Sequence, residues 1–290
     1  MNVSSTSVSP ARGVVWRSAL SRWQGRSHSR DASPCQDQVF RAESPDGTTV
    51  VALADGAGSA QFSHYGAGLV VRRAASLVTE EFEHIYRATK NATSVRERLI
   101  VALQADLSRL SKQGIKVSNS DRDRLKLPRK AEQPRIPCSV RDLASTLLVV
   151  AIRDDRYIAL HLGDGVIGME IVLRSGRRLV KALGLPDNGE FANETKFVTS
   201  DSAAASLRMY RGRLAIAARV ATGFVLMSDG PEAVLYNKRT NALAPACAKL
   251  LQACRELPSE EMQSRLTGTL RDVIAKRTHD DCSLVLIAKR

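Results

Sequence analysis

Apolar residues in this chain follow two rhythms. Unbroken runs of strand length stand at 49–54 (TVVALA), 143–152 (LASTLLVVAI), 157–162 (YIALHL), 166–173 (VIGMEIVL), 223–227 (GFVLM) and 283–288 (SLVLIA). Runs this short, rich in β-branched residues and bounded by turn residues, predict strands buried on both faces. VVWRSAL (14–20) predicts a first strand, Val39 and Phe40 a short second one, and KFVTS (196–200) and LAIAARV (214–220) two more. Ser175-Gly176, between VIGMEIVL and RRLVKAL, reads as a two-residue hairpin turn.

The second rhythm is helical. Ala67, Val70, Val71, Ala74, Leu77, Val78, Phe82 and Ile85 put one apolar face on a helix over about 63–87. Val95, Leu99, Leu103, Leu107 and Leu110 stripe another over 94–112. Towards the end of the chain Leu243, Cys247, Leu250, Leu251 and Cys254 mark a third, and Met262, Leu266, Leu270 and Ile274 a fourth. Strands, two helices, strands, two helices and a last strand predict an α+β fold, a β-sandwich with a helix pair on each side. Residues 113–140 interrupt this order with Gly114, Pro128, Pro134 and Pro137 among basic residues, and read as a mobile insertion in a domain spanning 13–290.

Residues 1–12 read as a disordered tail. With no apolar signal-peptide centre in MNVSSTSVSPARG, the expectation is a cytoplasmic protein. No apolar run approaches the ~20 residues of a membrane helix. Five cysteines without a CxxC pair argue against a disulfide framework or a zinc ribbon and suit a reducing compartment. The net charge of +13 is lopsided: residues 109–141 hold ten Lys/Arg against three Asp/Glu. More than half of the excess therefore sits in one segment, which reads as a solvated basic loop or a dock for an acidic partner. Without a zinc finger, helix-turn-helix or RNA-binding aromatic pattern, nucleic-acid binding would rest on charge alone.

Candidate chemistry lies at the strand ends. Asp37, Asp55, Asp164, Asp229 and the pair Asp280/Asp281 each stand at the edge of an apolar strand beside a small residue. One Asp-Gly step is ordinarily a turn. Repeated at five strand ends, it suggests carboxylates gathered at one rim. A site of carboxylates without His or Cys ligands selects hard cations such as Mg²⁺ or Mn²⁺. Two such ions activate a water and clamp a phosphoryl group, chemistry that needs no covalent nucleophile. No GxSxG elbow or P-loop offers another route. His28, His64 and His279 lie near the acids in sequence as candidate proton donors or plain structural histidines.

The ordered motifs PCQD (34–37), ADGAGS (54–59), ASTLL (144–148), HLGDG (161–165), MSDG (227–230) and DDCSLVLI (280–287) resemble the metal-dependent type-2C (PPM) Ser/Thr protein phosphatases, most closely the divergent bacterial branch with PCQD and DGAGS. The loop GEFANET (189–195) fits that branch too. The resemblance implies a four-layer αββα sandwich of two mostly antiparallel sheets. It implies that Asp55 bridges two ions with the Gly56 carbonyl on the second, while Asp229 and Asp280 hold the first. Asp37 then orients metal-bound water, and Asp164 belongs to a third, weaker site. Asp281 stands where many members carry Asn, so Asp280 is the better ligand of that pair. The implied activity is hydrolysis of phosphoserine and phosphothreonine on proteins by direct attack of a hydroxide held between two Mn²⁺ or Mg²⁺ ions. A cognate Ser/Thr kinase would supply the substrate.

Three positions depart from the family pattern. Gln36 replaces a glutamate ligand of the animal members. Ala57 replaces a histidine proposed there as general acid. Ala32 occupies the place of the phosphate-gripping arginine, leaving Arg26, His28 or Arg30 to substitute. A phosphatase-fold scaffold that binds phosphoproteins without turning them over is the alternative these departures keep open. Cys35 and Cys282 each lie two residues from a proposed ligand, either as oxidisable thiols at the site or as small buried hydrophobes.

Overall fold

The structure, a computed structural model, describes residues 15–88, 92–127, 135–184 and 195–290. The N-terminal tail 1–12 and most of the GEFANET loop lie outside these residues.

In chain order the first half comprises β1 (Trp16–Trp23), α1 (Arg26–Arg30), β2 (Gln38–Glu43), β3 (Thr49–Ala54), α2 (Ser63–Glu80), α3 (Phe82–Arg87), α4 (Ala92–Gln113) and α5 (Asn119–Arg124). The hairpin strands β4 (Leu147–Arg153), β5 (Arg156–Leu162), β6 (Val166–Leu173) and β7 (Arg178–Gly184) follow. Then come α6 (Ala203–Ser206), β8 (Arg208–Arg213), β9 (Ala215–Ile216), β10 (Arg219–Met227) and α7 (Asp229–Leu235). The chain closes with β11 (Tyr236–Asn237), β12 (Ala242–Leu243), α8 (Pro245–Glu256), α9 (Ser259–Thr269) running into a π-turn at Leu270–Ile274, and β13 (Cys282–Lys289).

Among the described residues two antiparallel sheets form. One runs β1-β13-β10-β6-β7-β12-β11, with β9 on β10; the other runs β2-β3-β4-β5-β8. Alternation along the central strands splits the core into three layers. Leu53, Val150, Phe224, Leu226 and Val285 fill the space between the sheets. Val50, Val149 and Leu160 face the other way, onto Val70, Val71, Leu103 and Leu107 of α2 and α4. Val225, Leu284 and Leu286 meet Leu251, Leu266 and Leu270 of the C-terminal helices. The expected αββα sandwich is the fold.

Some elements differ from expectation. The first long helix breaks at Glu81 (φ −105°), so α3 is separate. KFVTS turns instead of extending: Ser200 Oγ accepts from Phe197 N–H at 3.1 Å, and the Phe197 carbonyl accepts from Ser200 N–H at 3.0 Å. LAIAARV folds at Ala217, whose φ of +47° lies in the left-handed region, and so belongs to two strands. The described part of 113–140 is folded. Ile115 pairs with Ile136, and Ile115 and Val117 enter the core. Asp121 of α5 docks on α2, where it accepts from Tyr65 Oη at 2.7 Å and lies 3.1 Å from His64 Nε2.

Candidate active site

Register brings the acids to one end of both sheets. Gln38 pairs with Ala54, so Asp37 and Asp55 leave β2 and β3 side by side. Asp164 follows β5, Asp229 follows β10 and opens α7, and Asp280 and Asp281 precede β13, whose Leu284 pairs with Met227. Asp37 is fully buried. Asp55, Asp164 and Asp229 keep part of their surface, and Asp280 is exposed, so the acids grade from a closed floor to an open mouth.

Backbone ties set this edge. Thr146 Oγ1 accepts from Asp55 N–H at 2.9 Å, and the Asp55 carbonyl accepts from Thr146 N–H at 2.8 Å, extending the β3–β4 ladder past its last pair. A Cβ on Gly56 would sit 2.8 Å from Ser63 Oγ and 2.9 Å from the Gln36 carbonyl, so the small residue there is a packing requirement.

Two serines lock the floor. Ser228 Oγ donates to Asp37 Oδ2 at 2.8 Å and itself accepts from Ser283 N–H at 3.0 Å. Asp37 Oδ1, Asp164 Oδ1 and Asp229 Oδ1 are buried oxygens without a protein donor. Burial is the main cause that pushes the Asp37 carboxyl above the ordinary carboxylate range, outweighing its contact with Asp55 and the hydrogen bond from Ser228. Close packing, with the charges of Asp37 and Asp229 added, raises Asp55 further although its edge is open to solvent. Asp229 rises through burial and the charges of Asp280, Asp164 and Asp37. Each acid is thus a cost to its neighbours unless positive charge joins them.

Asp281 stands apart from this group. Its oxygens accept from Gly25 N–H and Gln36 N–H, each at 2.6 Å, and His28 Nδ1 lies 2.9 Å from Oδ2. Burial works to raise this carboxyl, but His28 and the two amides outweigh it and hold it low. Asp281 is a structural tie between the chain before β13 and the PCQD segment, which leaves Asp280 as the acid of that pair facing Asp229.

The three residues considered for phosphate grip are not gathered over the acids. Arg26 donates to the carbonyls of Thr278 and Lys276 (3.1 and 3.4 Å), His28 is paired with Asp281, and Arg30 is exposed on α1. The arginine that touches the PCQD segment is Arg22 of β1, whose Nη1 donates to the Asp37 carbonyl at 2.9 Å. His64 is turned to Asp121 and His279 is exposed. Burial pushes the Cys282 thiol up to about 12, and Cys282 packs as a small buried hydrophobe; Cys35, raised as well, is only half-buried.

The donor set is all oxygen: carboxylates with three orphaned buried atoms, beside a glycine backbone. Among the described residues no three His, Cys, Asp or Glu side chains close into a ready-made ion cage. A Mg²⁺-like ion does not need one, because it keeps several waters and takes one or two carboxylates. The residues fit such ions.

Residues 24–271 match the family model described as protein phosphatase 2C. The chain belongs to the protein phosphatase 2C family. It is 25% identical to Serine/threonine-protein phosphatase 3 of Escherichia coli (strain K12), over 94% of this chain and 98% of that one. The fold is shared with Serine/threonine phosphatase Stp1 from Staphylococcus aureus (TM-score 0.58, 13% identity, 98% of both chains covered). It is also shared with the catalytic domain of the serine threonine protein phosphatase PstP, solved in complex with two manganese ions (TM-score 0.53, 17% identity, 95% of this chain and 99% of that one covered).

Within this protein phosphatase 2C chain several site neighbours escape a reading of the sequence. Ser228, Ser283 and Thr146 lie inside the motifs MSDG, DDCSLVLI and ASTLL, but the motifs do not show that these residues hydrogen-bond around the acids. Thr195, the last residue of the GEFANET stretch, donates its Oγ1 hydrogen to Asp164 Oδ2 at 2.6 Å across 31 residues of chain. Buried Glu232, three residues after Asp229 on α7, feels the charge of Asp164.

Proposed function

We propose that this protein phosphatase 2C member is a Mn²⁺- or Mg²⁺-dependent phosphatase of phosphoserine and phosphothreonine on proteins. The observation that carries the reading is the group of raised, mutually repelling carboxylates whose buried oxygens have no protein donor. The residues that would hold two ions are Asp55, the Gly56 carbonyl, Asp229 and Asp280, with Asp164 available to a third. Bound there, such ions lower the pKa of a shared water and neutralise charge on the phosphoryl oxygens.

The protein's own part is placement. Asp37, fixed by Ser228, offers Oδ1 as an acceptor that orients a water for in-line attack on phosphorus. Among the described residues the two thiols near the acids, Cys35 and Cys282, are shifted by burial towards the protonated form, which favours direct attack without a phosphoenzyme. Substrates would be proteins phosphorylated by a Ser/Thr kinase.

Hydrolysis of p-nitrophenyl phosphate with and without Mn²⁺ tests this, comparing wild type with Asp55→Asn and Asp229→Asn. Mn²⁺-dependent turnover that both variants lose by about 100-fold or more is expected. Absence of turnover in wild type, with Mn²⁺ still binding by calorimetry, would favour the scaffold reading.

A further inference from the structure

A groove of about 630 Å³ runs between α2 and α4 on the solvent side of the helix layer. Its walls include Tyr65, Leu69 and Leu110, and its rim carries Arg72, Arg73 and Arg109. Asp106 is shared: Oδ2 accepts from Arg73 Nε at 2.9 Å and Oδ1 from Arg109 Nη1 at 2.7 Å. Arg73 also lies 3.9 Å from Glu80, so three arginines stand against Asp106 and Glu80, and the rim keeps a net positive charge carried by Arg72. Arg72 forms no ion pair within the described residues, and its guanidinium folds back over Gly68, 3.1 Å from where a Cβ would lie.

We propose that this groove docks an acidic segment of the phosphoprotein, with apolar side chains interleaved, on one side of the phosphorylated residue. Two arginines of the 113–140 segment are used internally: Arg124 binds Asp121 and the Gln61 carbonyl, and Arg135 binds the Gly114 carbonyl. At the groove rim Arg72 and Arg109 are exposed above an apolar floor, Arg109 with one nitrogen on Asp106. From Tyr65 to Ser76 it spans ~16 Å of helix, the length of about five extended residues. It begins within one helical turn of Ser63, the side chain packed against Gly56, which puts its near end on the helix that borders the acids. A polypeptide suits it better than a nucleic acid. Tyr65 is its one aromatic ring, already engaged through its hydroxyl with Ser118 and Asp121, so there is no stacking platform.

The role in substrate choice rests on the phosphatase reading, but the docking itself needs no turnover and is tested without it. A short fluorescein-labelled peptide of alternating Glu and Leu, unphosphorylated, is titrated with the full chain and read by anisotropy. Arg72→Glu/Arg109→Glu should weaken binding about tenfold, and Arg72→Gln/Arg109→Gln by an intermediate amount. Arg174→Glu/Arg177→Glu, the same charge change on the exposed β6–β7 hairpin, should cost less than about twofold. Equal losses from both reversals, no binding by wild type, or tighter binding of a single-stranded oligonucleotide of equal charge would each overturn the proposal. In enzyme that hydrolyses p-nitrophenyl phosphate, the kcat/KM for an acidic-tailed phosphopeptide relative to that small substrate should fall in the groove variants.

Discussion

Ser228 and Asp37 belong to different sheets, and the hydroxyl of the first donates to Oδ2 of the second at 2.8 Å in a fully buried contact. Because Ser228 also accepts from the Ser283 amide, it cannot swing away without orphaning two groups. The carboxylate is thus pinned on one oxygen and left open on the other.

Ser228→Ala removes that pin. A loss of about 1–3 kcal/mol in urea unfolding is expected, the cost of leaving a buried carboxylate oxygen and an amide without partners. Turnover of p-nitrophenyl phosphate should fall with little change in KM. Unaltered kcat in a destabilised variant would separate the pin from the chemistry.

Asp55→Asn should make the protein more stable in chelator while making it a worse enzyme. Removing one of three clustered charges relieves repulsion, and a gain of about 1 kcal/mol corresponds to ~2–4 °C in Tm for a chain of this size. Mn²⁺ should raise the Tm of wild type and leave that of the variant nearly unmoved. Thermal melts with EDTA and with Mn²⁺ check both halves.

Most of the floor plan was legible in the sequence because its signals are local. Val50–Ala54 and Gly223–Met227 are apolar without interruption, and the acid at the end of each marks where the strand reaches water. What was missed depends on partners distant along the chain. RMYRGR reads as polar, yet it pairs with β5 as an edge strand, where arginines are tolerated because one side has no neighbour. Asp229-Gly230-Pro231 reads as a turn but begins a helix, since Pro is acceptable in a first turn. The resemblance already favoured Asp280 over Asp281 as a ligand, but what Asp281 does instead was not legible, because its partners, the amides of Gly25 and Gln36, lie some 250 residues earlier.

Asp121 predicts a pH response. Burial would raise its carboxyl, but His64, Tyr65 and Ser118 outweigh burial and hold it well below the ordinary value. A depressed folded pKa gives stability that is complete above the unfolded value near about 3.9 and is lost as pH falls through the folded one. Asp121→Asn should therefore cost on the order of 2 kcal/mol at neutral pH, unchanged at about pH 5.5 and shrinking below about pH 4. Urea midpoints of both proteins across that range provide the measurement.

Two glycines in α2 should respond with opposite sign. Gly→Ala inside a helix ordinarily stabilises by about 1 kcal/mol. At Gly68 the nearest obstacle is the mobile end of Arg72, so Gly68→Ala should gain up to that amount. At Gly66 a Cβ would stand 2.0 Å from the Leu143 carbonyl oxygen, so Gly66→Ala must push the helix off the turn before β4 and should destabilise. Paired chemical denaturation decides it.

The acids are carried on two separate plates: Asp37 and Asp55 hang from one sheet, Asp229 and Asp280 from the other, and Asp164 sits on the link from β5 to β6 that joins the two. The spacing of the two plates is set by the layer between the sheets, where Phe224 lies against Trp16 and Tyr157. Shaving or swelling a ring in that layer changes the gap at the rim as a wedge changes the opening of a clamp. Apolar residues with no chemistry of their own thus set how far apart the charges sit.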